Sequence, residues 1–333
     1  MTGPHPLSAP LTLRFDMRAP SFAAPDADLY ATAIEMCTWS ESRGASVAVL
    51  SEHHATDDHH LPAPLVLASA VAARTERLAI MLAAVVLPLY EPVRLAEEMA
   101  VLDIISRGRV GYVFGVGHRR EEYDHFGVEH GARGRLADEN LDLVLRLLHG
   151  ETVADGSRTA RLSPPPLTPG GPVVMIGGGS VAAARRAGRH GLGLLAQSAP
   201  PGLQDAYEAA CRAAGHEVGW AQLPDPGAPT AVFVAADVDQ AWRELGPYLL
   251  HDAKMAASYR HGGGEVASIS RAGTVEELRD EGGAYRVVTL GEAEEMIRTA
   301  GRLPLAPLCG GLWPSVAWPY LERAAEAARR ARL

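Results

Sequence analysis

The sequence predicts an α/β protein of the (β/α)8 TIM-barrel class, with insertions. Three observations support this prediction. Strand-like and helix-like segments alternate about eight times along the 333 residues, as they do in such barrels. The strand-like segments are almost continuously apolar, which is typical of parallel strands that are buried on both faces. No GxGxxG motif follows the first strand, which disfavours the competing architecture, a doubly wound open sheet that binds a dinucleotide.

The first half of the chain gives clear boundary signals. The expected strands are Leu11 to Phe15, Ser46 to Leu50, Leu78 to Leu87 and Val110 to Val116. The expected helices run from Asp26 or Asp28, as the cap, to Arg43, from Leu65 to Thr75 and from Pro92 to Ile105, with a helical tract after the fourth strand that is broken near Gly127 to Gly134 and ends at Gly150. Gly44 ends the first helix and Pro88 closes the third strand, because glycine favours helix ends and proline interrupts a ladder.

The second half continues the alternation. Here the expected strands are Val173 to Ile176, Gly191 to Ala196, Thr230 to Ala236 and Leu303 to Leu308. The expected helices are Ser180 to Arg189, Leu203 to Ala214, Val238 to Lys254, Glu292 to Ala300 and Pro314 to Arg330.

Two segments do not follow the alternation. Residues 152–172 contain five prolines and little periodicity, so we expect an ordered excursion or hairpin. Residues 257–283 contain a glycine triplet and few large apolar side chains, so we expect a mobile lid. Neither segment is predicted to separate domains, and residues 1–333 are expected to form a single barrel domain.

Composition and charge restrict the function. The formal net charge of −9 disfavours a nucleic-acid-binding protein, which usually carries a basic surface. No apolar segment reaches the roughly 18 residues of a membrane span. The three cysteines are far apart and form no disulfide framework or CxxC zinc site. The start of the sequence lacks the basic and apolar regions of a signal peptide, and we expect a soluble cytoplasmic protein.

The most unusual stretch is LSEHHATDDHHLP, Leu50 to Pro62, which directly follows the second strand. Four histidines and three acids at the carboxyl end of a barrel strand indicate an active site. Histidine and aspartate are common metal ligands, but the spacing matches no zinc motif, so no metal is predicted. His53 is the favoured acid or base because imidazole titrates near neutral pH, and His54 is a possible support. His59 and His60 are expected to be partly solvated loop residues.

A glycine run, Gly177 to Gly179, and Ser180 precede a predicted helix. Glycines let the backbone approach a phosphate closely, and the amino-terminal N–H groups of a helix attract anions. The same pattern also makes an ordinary turn, and the residues alone leave both interpretations open. His118 and Arg119, after the fourth strand, could supply positive charge, or could be a solvated helix start.

The sequence resembles the bacterial-luciferase-like flavin-dependent monooxygenases. The matching stretches, in the order found in that family, are Ser51 to Asp58 (SEHHATDD), Leu82 to Arg109, Phe114 to Val128, Gly134 to Glu151, Pro165 to Gly193 and Pro307 to Leu312 (PLCGGL). Together they extend over nearly the whole chain.

This resemblance implies roles for particular residues. His53 falls at the catalytic histidine of the luciferase α-subunit, and Ala83-Ala84 falls at its cis Ala-Ala peptide beside the flavin ring. Ser180 matches a phosphate contact, and Gly178 and Gly179 belong to the same loop. Gly117 replaces the reactive cysteine of luciferase, and Gly179 replaces a phosphate-binding glutamate. The loss of the cysteine disfavours light emission and a long-chain aldehyde substrate.

The resemblance also implies a reaction. Reduced flavin mononucleotide (FMN), supplied by a separate reductase, would react with dioxygen to give a flavin hydroperoxide that oxygenates a small organic substrate. Hydroxylation and Baeyer–Villiger insertion both remain open, and a homodimer is expected. The protein's share of such chemistry is orientation and control of protons and water.

Three alternatives remain from the sequence. Related barrels bind the deazaflavin coenzyme F-420 and transfer hydride without oxygen. A metal-dependent hydrolase could use the His and Asp cluster. A non-catalytic barrel subunit is also possible, although the retained His53-His54 pair disfavours it.

Overall fold

The computed structural model describes residues 10–155, 158–225, 227–259, 266 and 268–332. The strands are β1 Leu11–Phe15, β2 Ala45–Leu50, β3 Ala79–Val86, β4 Val110–Gly115, β5 Val153–Asp155, β6 Arg158–Ala160, β7 Val174–Gly177, β8 Gly193–Leu195, β9 Ala221–Gln222, β10 Ala231–Ala235, β11 Tyr285–Thr289 and β12 Leu303–Leu305. The helices are α1 Asp26–Glu41, α2 Pro64–Arg74, α3 Pro92–Ser106, α4 Arg120–Phe126, α5 Arg133–Leu148, α6 Val181–Arg189, α7 Leu203–Ala213, α8 Val238–Ser258, α9 Val275–Glu281, α10 Leu290–Ala300 and α11 Pro314–Arg330.

The described residues group into two compact units. Unit one contains residues 10–62, 74–80 and the described part of 225–332, and unit two contains residues 63–73 and 81–224. The expectation of a single domain over residues 1–333 stays a prediction.

Unit one is built on β1, which pairs in parallel with β12 on one side and β2 on the other. Leu13 lies opposite Leu305 of β12 and Ala48 of β2. The side chains of Leu11, Leu13 and Phe15 are buried, which provides the apolar centre of this unit. Strands β10 and β11 form a second parallel pair. Because parallel strands end at the same edge, the loops after β1, β2 and β12 start at one edge of their sheet.

Unit two contains the parallel series β4, β7, β8 and β9. Phe114 of β4 lies opposite Ile176 of β7, which lies opposite Leu194 of β8, and all three are buried. Helices α6 and α7 pack so closely that a Cβ atom on Gly188 would lie 2.6 Å from the Ala210 Cβ. The Pro-rich segment contains the antiparallel pair of β5 and β6, and its Ser163-Pro164 peptide bond is cis.

The structure differs from the sequence-based expectations in three respects. The first helix begins at Asp26 with Pro25 as its N-cap, and no side chain caps it, so the expected Asp26 or Asp28 cap is wrong. Within the expected lid, residues 257 and 258 end α8 and residues 275–281 form α9. Residues 260–265 and 267 of that segment lie outside the described residues. Strands β9 and β11 are not among the expected strands.

Candidate active site

Small residues form a surface at the carboxyl ends of three strands of unit two. Ala84 of β3 is half-buried, and its peptide bond to Ala83 is cis. A Cβ atom on Gly115 of β4 would lie 3.3 Å from the Ala84 Cβ, and one on Gly177 of β7 would lie 3.7 Å from it. The Gly177 position is also closed from the other side, because the added atom would lie 2.9 Å from Val113 Cγ1. We call Ala84, Gly115 and Gly177 the small-residue surface, because no side chain larger than the Ala84 methyl group projects from these three positions.

The loop after β4 is held in place by α4. Gly117 has a φ of +62°, and a Cβ atom there would lie 2.7 Å from Val86 Cγ1. Tyr123 is buried and donates its hydroxyl hydrogen to the carbonyl of Val116, and burial raises the pKa of this phenol. The loop conformation therefore requires glycine at 117 and is fixed by a buried hydrogen bond.

The two candidate cations of this loop have different surroundings. His118 is exposed. Arg119 lies against α4, where its Nη1 is 3.2 Å from Oε1 of the buried Glu122. Its charge is thus already balanced by a carboxylate, which leaves Arg119 better suited to fixing the loop than to neutralising an anion.

The glycine run precedes α6 in the structure, as the sequence predicts. Gly178 has a φ of +126° and donates its N–H to the Leu195 carbonyl at 3.2 Å. A Cβ atom on Gly179 would lie 1.8 Å from Ser198 Oγ, so only glycine fits there. Ser180 is the N-cap of α6, and its Oγ accepts a hydrogen bond from the Ala183 N–H at 3.2 Å. The loop therefore presents backbone and a helix amino terminus with no bulky side chain, an arrangement that suits a phosphate.

In unit one, the histidines after β2 have separate environments. The imidazole Nε2 of His54 lies 2.7 Å from Glu52 Oε1, and both residues are buried. His53 is half-buried, and its ring centroid lies 4.8 Å from the ring of His60 and 4.8 Å from the ring of Tyr259. His54 is thus held by a carboxylate, whereas His53 contacts other rings.

The expectation for His60 is wrong. Only 4% of this residue is exposed, and its Nε2 lies 3.4 Å from Ser51 Oγ. Burial, followed by the charge of Arg18, lowers the pKa of His60 well below its ordinary value. His59 is exposed as expected and pairs with Asp26 at 3.0 Å. A φ of +56° at His59 turns the chain here, and the following side chain enters the core.

A buried polar cluster, which the sequence reasoning missed, surrounds Arg18 after β1. Its Nη1 donates to Asp58 Oδ2 at 2.6 Å and to the Tyr259 hydroxyl at 2.8 Å, and its Nε donates to Asp252 Oδ1 at 2.9 Å. The Tyr285 hydroxyl donates to Asp252 at 2.6 Å, and His251 Nε2 lies 3.1 Å from Asp58. Within this cluster Arg18 is paired with Asp58 and Asp252, which offsets the cost of burying these three charges.

The carboxylates of this Arg18 cluster titrate differently. Burial alone would raise the pKa of Asp58, but hydrogen bonds from His251 and Arg18 hold it well below its ordinary value. Burial also opposes ionisation of Asp252, yet Arg18 and Arg14 lower its pKa. Asp16 behaves oppositely, since burial and the nearby charge of Asp252 raise its pKa to about 6.

The backbone explains why pattern reading overlooked Arg18. Asp16, Met17 and Arg18 are all buried although they are consecutive, because Met17 has a φ of +60°. A residue with a positive φ interrupts the alternation of inward and outward side chains along a strand. The apolar periodicity of the sequence does not reveal where this happens. The signal that could have found Arg18 was its position at the carboxyl end of the first strand, where barrel chemistry is concentrated.

The PLCGGL segment supports the Arg18 cluster through two close approaches. A Cβ atom on Gly311 would lie 2.8 Å from the Arg18 carbonyl oxygen, and one on Gly310 would lie 2.3 Å from the Tyr248 carbonyl oxygen of α8. These glycines let three chain segments of unit one meet at backbone distance.

Over the described ranges of the chain, no three His, Cys, Asp or Glu side chains are grouped so that they could hold a metal ion. The metal-dependent hydrolase alternative therefore finds no donor set among these residues. The same ranges include no helix with the length and apolar character needed to cross a membrane.

A comparison with sequence models of protein families identifies the family of the chain. A sequence model of the luciferase-like monooxygenases matches residues 14–301, which include every candidate site residue. The chain belongs to the luciferase-like monooxygenase family. This confirms the resemblance inferred from the sequence, and the enzyme class of the family is the one expected.

Curated relatives match part of the chain. Limonene 1,2-monooxygenase of Rhodococcus erythropolis is 34% identical over 104 residues, 31% of this chain and 27% of that protein. The oxygenase component of the flavin-dependent trigonelline monooxygenase of Acinetobacter baylyi is 28% identical over 130 residues, 38% of this chain and 36% of that protein. The chain spans less than half the length of the curated relatives it matches.

Several solved structures share the fold of this chain. Monooxygenase RslO1 of Streptomyces bottropensis has a TM-score of 0.74 at 18% identity, with 97% of this chain and 100% of that chain covered. The oxygenating constituent of 3,6-diketocamphane monooxygenase of Pseudomonas putida, in complex with FMN, has a TM-score of 0.69 at 18% identity, covering 96% and 98%. An F-420-dependent secondary alcohol dehydrogenase has a TM-score of 0.62 at 16% identity, covering 92% and 98%. The expected (β/α)8 barrel fold is thereby confirmed.

Proposed function

We propose that this chain is the oxygenase component of a flavin-dependent monooxygenase that uses reduced FMN and dioxygen on a small organic substrate. The observation that carries the proposal is the small-residue surface of Ala84, Gly115 and Gly177, where no large side chain would keep a flat ring from the carboxyl ends of the strands. Support comes from the FMN-bound structural neighbour and from the relative that is named as an oxygenase component. That name also supports a separate flavin reductase as partner, and a homodimer is part of the proposal.

Residues of unit two would hold the cofactor. In this proposal Ala83, Ala84 and Gly117 contact the ring system. Gly178, Gly179 and Ser180 receive the phosphate, because this loop has no large side chain and the N–H groups at the amino terminus of α6 attract anions. His118 adds charge from the loop after β4, and Arg119 fixes that loop through its ion pair with Glu122. When bound, reduced flavin supplies the activation of dioxygen.

Residues of unit one would control protons. His53 is the proposed acid or base, since its imidazole is half-buried rather than enclosed and an imidazole exchanges protons near neutral pH. His54, paired with Glu52 at 2.7 Å, supports the loop that carries His53. The protein contributes positioning and exclusion of water, which limit side reactions of the cofactor.

A deazaflavin-dependent hydride transfer is the second candidate. It is favoured by the structural neighbour that binds an F-420-acetone adduct on the same fold. Such an enzyme would need the same ring and phosphate contacts, but it would consume no oxygen.

Binding and oxygen uptake separate the two candidates. The purified chain is titrated without air with reduced FMN and with reduced deazaflavin, and oxygen consumption is then recorded. We expect binding of reduced FMN and oxygen uptake above the rate of free reduced FMN. Binding of the deazaflavin alone, with no oxygen consumed, would reverse the choice, and binding of neither would reject both.

A further inference from the structure

The imidazole of His53 packs between two other rings of unit one. The rings of His53 and His60 meet edge to face at an interplanar angle of 84°, and the rings of His53 and Tyr259 are tilted by 57°. Both centroid distances are 4.8 Å, the separation at which ring contacts restrict orientation. Rotation of His53 therefore depends on whether its two neighbours are themselves fixed.

Tyr259 is fixed from its far end. Its hydroxyl oxygen accepts a hydrogen bond from Arg18 Nη1 at 2.8 Å and lies 3.5 Å from Asp58 Oδ1. The Arg18 guanidinium carbon also lies 5.0 Å from the centre of the Tyr259 ring, a cation–π distance. Only 7% of Tyr259 and 3% of Arg18 are exposed, so solvent does not compete strongly for these contacts.

The Arg18 guanidinium is in turn rigidly held. Asp58 and Asp252 accept its hydrogen bonds from two directions, and Asp58 is also contacted by His251. Three of the participating residues, His251, Asp252 and Tyr259, come from α8 and the residue that follows it. Asp58 and Asp252 thus hold Arg18, Arg18 holds the hydroxyl of Tyr259, and the ring of Tyr259 packs against the imidazole of His53.

We propose that Tyr259 is the positioning residue of His53, and that Arg18 and Asp58 act on His53 through the Tyr259 hydroxyl. The phenol ring sets the orientation of the imidazole, and the hydroxyl sets the orientation of the ring. This inference rests on the proposed role of His53 for its catalytic meaning, but the contact itself is tested without turnover.

The test is an NMR titration of the His53 imidazole in the full chain, with the signal assigned by its absence in His53→Ala. The main variant is Tyr259→Phe, which keeps the ring and removes the bond to Arg18. We expect the His53 signals to shift by more than about 0.1 ppm and the titration midpoint to move, because a loosened ring changes both the ring current and the exposure of the imidazole. Tyr259→Leu should remove the ring-current contribution entirely.

The charged and titratable groups of this contact network are His60, which interacts with His53, and Arg18, which contacts Tyr259. Asp58, Asp252 and Asp16 lie against Arg18, and His251 lies against Asp58. Two matched controls separate the specific link from a general disturbance of these groups. Tyr285→Phe removes a buried hydroxyl from Asp252 in the same cluster. Tyr248→Phe makes the same chemical change in α8, the helix that directly precedes Tyr259. The ring of Tyr248 contacts Phe22.

The expected order of effects on the His53 signal is Tyr259→Leu, then Tyr259→Phe, then Tyr285→Phe, with no effect of Tyr248→Phe. Unchanged signals and midpoint in a folded Tyr259→Phe protein would overturn the proposal, as would an equal effect of Tyr285→Phe. Thermal unfolding shows that each variant is folded. Turnover of His53→Ala answers the separate question of catalysis, so retained turnover would reject the role of His53 and leave the positioning result standing.

Discussion

At the scale of single residues, the small-residue surface is the feature most sensitive to change. Gly115 is half-buried and is not one of the glycines with a positive φ, so its backbone conformation is open to other residues. Its position faces Ala84 closely. A single methyl group there tests the surface without altering the backbone preference.

We predict that Gly115→Ala weakens the binding of reduced FMN about tenfold, which corresponds to about 1.4 kcal/mol. The added Cβ would lie 3.3 Å from the Ala84 Cβ, so it would displace that residue or occupy the space of the ring. An anaerobic fluorescence titration measures the dissociation constant. Gly134→Ala is the matched control, because nothing lies within 4 Å of a Cβ at that position. Equal affinity of the Gly115 variant and the native chain would contradict the proposed cofactor contact.

At the scale of elements, α6 begins with a serine that has two possible tasks. The Oγ of Ser180 caps the helix through the Ala183 N–H, and the proposed function gives the same residue a phosphate contact. The two tasks can be separated, because aspartate caps a helix about as well as serine but carries a negative charge.

We predict that Ser180→Asp leaves the free energy of unfolding within about 0.5 kcal/mol of the native value, yet weakens FMN binding at least about tenfold by repulsion of the phosphate. Riboflavin, which lacks the phosphate, should bind both proteins alike. Ser180→Thr, which caps without charge, serves as the control. Equal loss of FMN and riboflavin affinity would show that Ser180 does not face the phosphate.

The bounds of some helices and strands can be predicted from the sequence, whereas α9 and β11 were overlooked for different reasons. β1 and α11 have the predicted bounds, because the signals there are an apolar alternation and a proline start. α9 was overlooked although Thr274 and Glu277 form a capping box, a signal that is present in the sequence. β11 was overlooked although YRVVT is as long as β1, because its strand state depends on pairing with β10.

At the scale of the whole molecule, a buried neutral histidine makes stability depend on pH. The pKa of His60 is well below its ordinary value in the folded chain, since burial and the charge of Arg18 oppose protonation. The unfolded chain binds a proton near pH 6.5. Below that pH the unfolded state binds more protons, so the free energy of unfolding falls as the pH falls.

We predict that protonation of His60 in the unfolded chain lowers the free energy of unfolding by up to about 1.4 kcal/mol for each pH unit below about pH 6.5. Asp16 acts in the opposite direction, because its raised pKa of about 6 favours the folded state below that value. The difference in the free energy of unfolding between the native chain and His60→Asn, followed over pH, therefore isolates the contribution of the histidine. Urea unfolding between pH 5 and pH 8 provides the measurement, with the exposed His125→Asn as control. Parallel curves for the native chain and His60→Asn would refute the prediction.

The sequence by itself determined most of the strands and helices, the family, and the glycine run that precedes α6. These are local properties, since periodicity, proline and glycine act within a few residues. Only the tertiary structure decided which polar groups meet. Arg18 and Asp252 are 234 positions apart and lie 2.9 Å from each other. The left-handed residues Met17 and His59 turn Arg18 and His60 inward. A single φ angle is not encoded in an apolar pattern, so the burial of these side chains had to come from the folded chain.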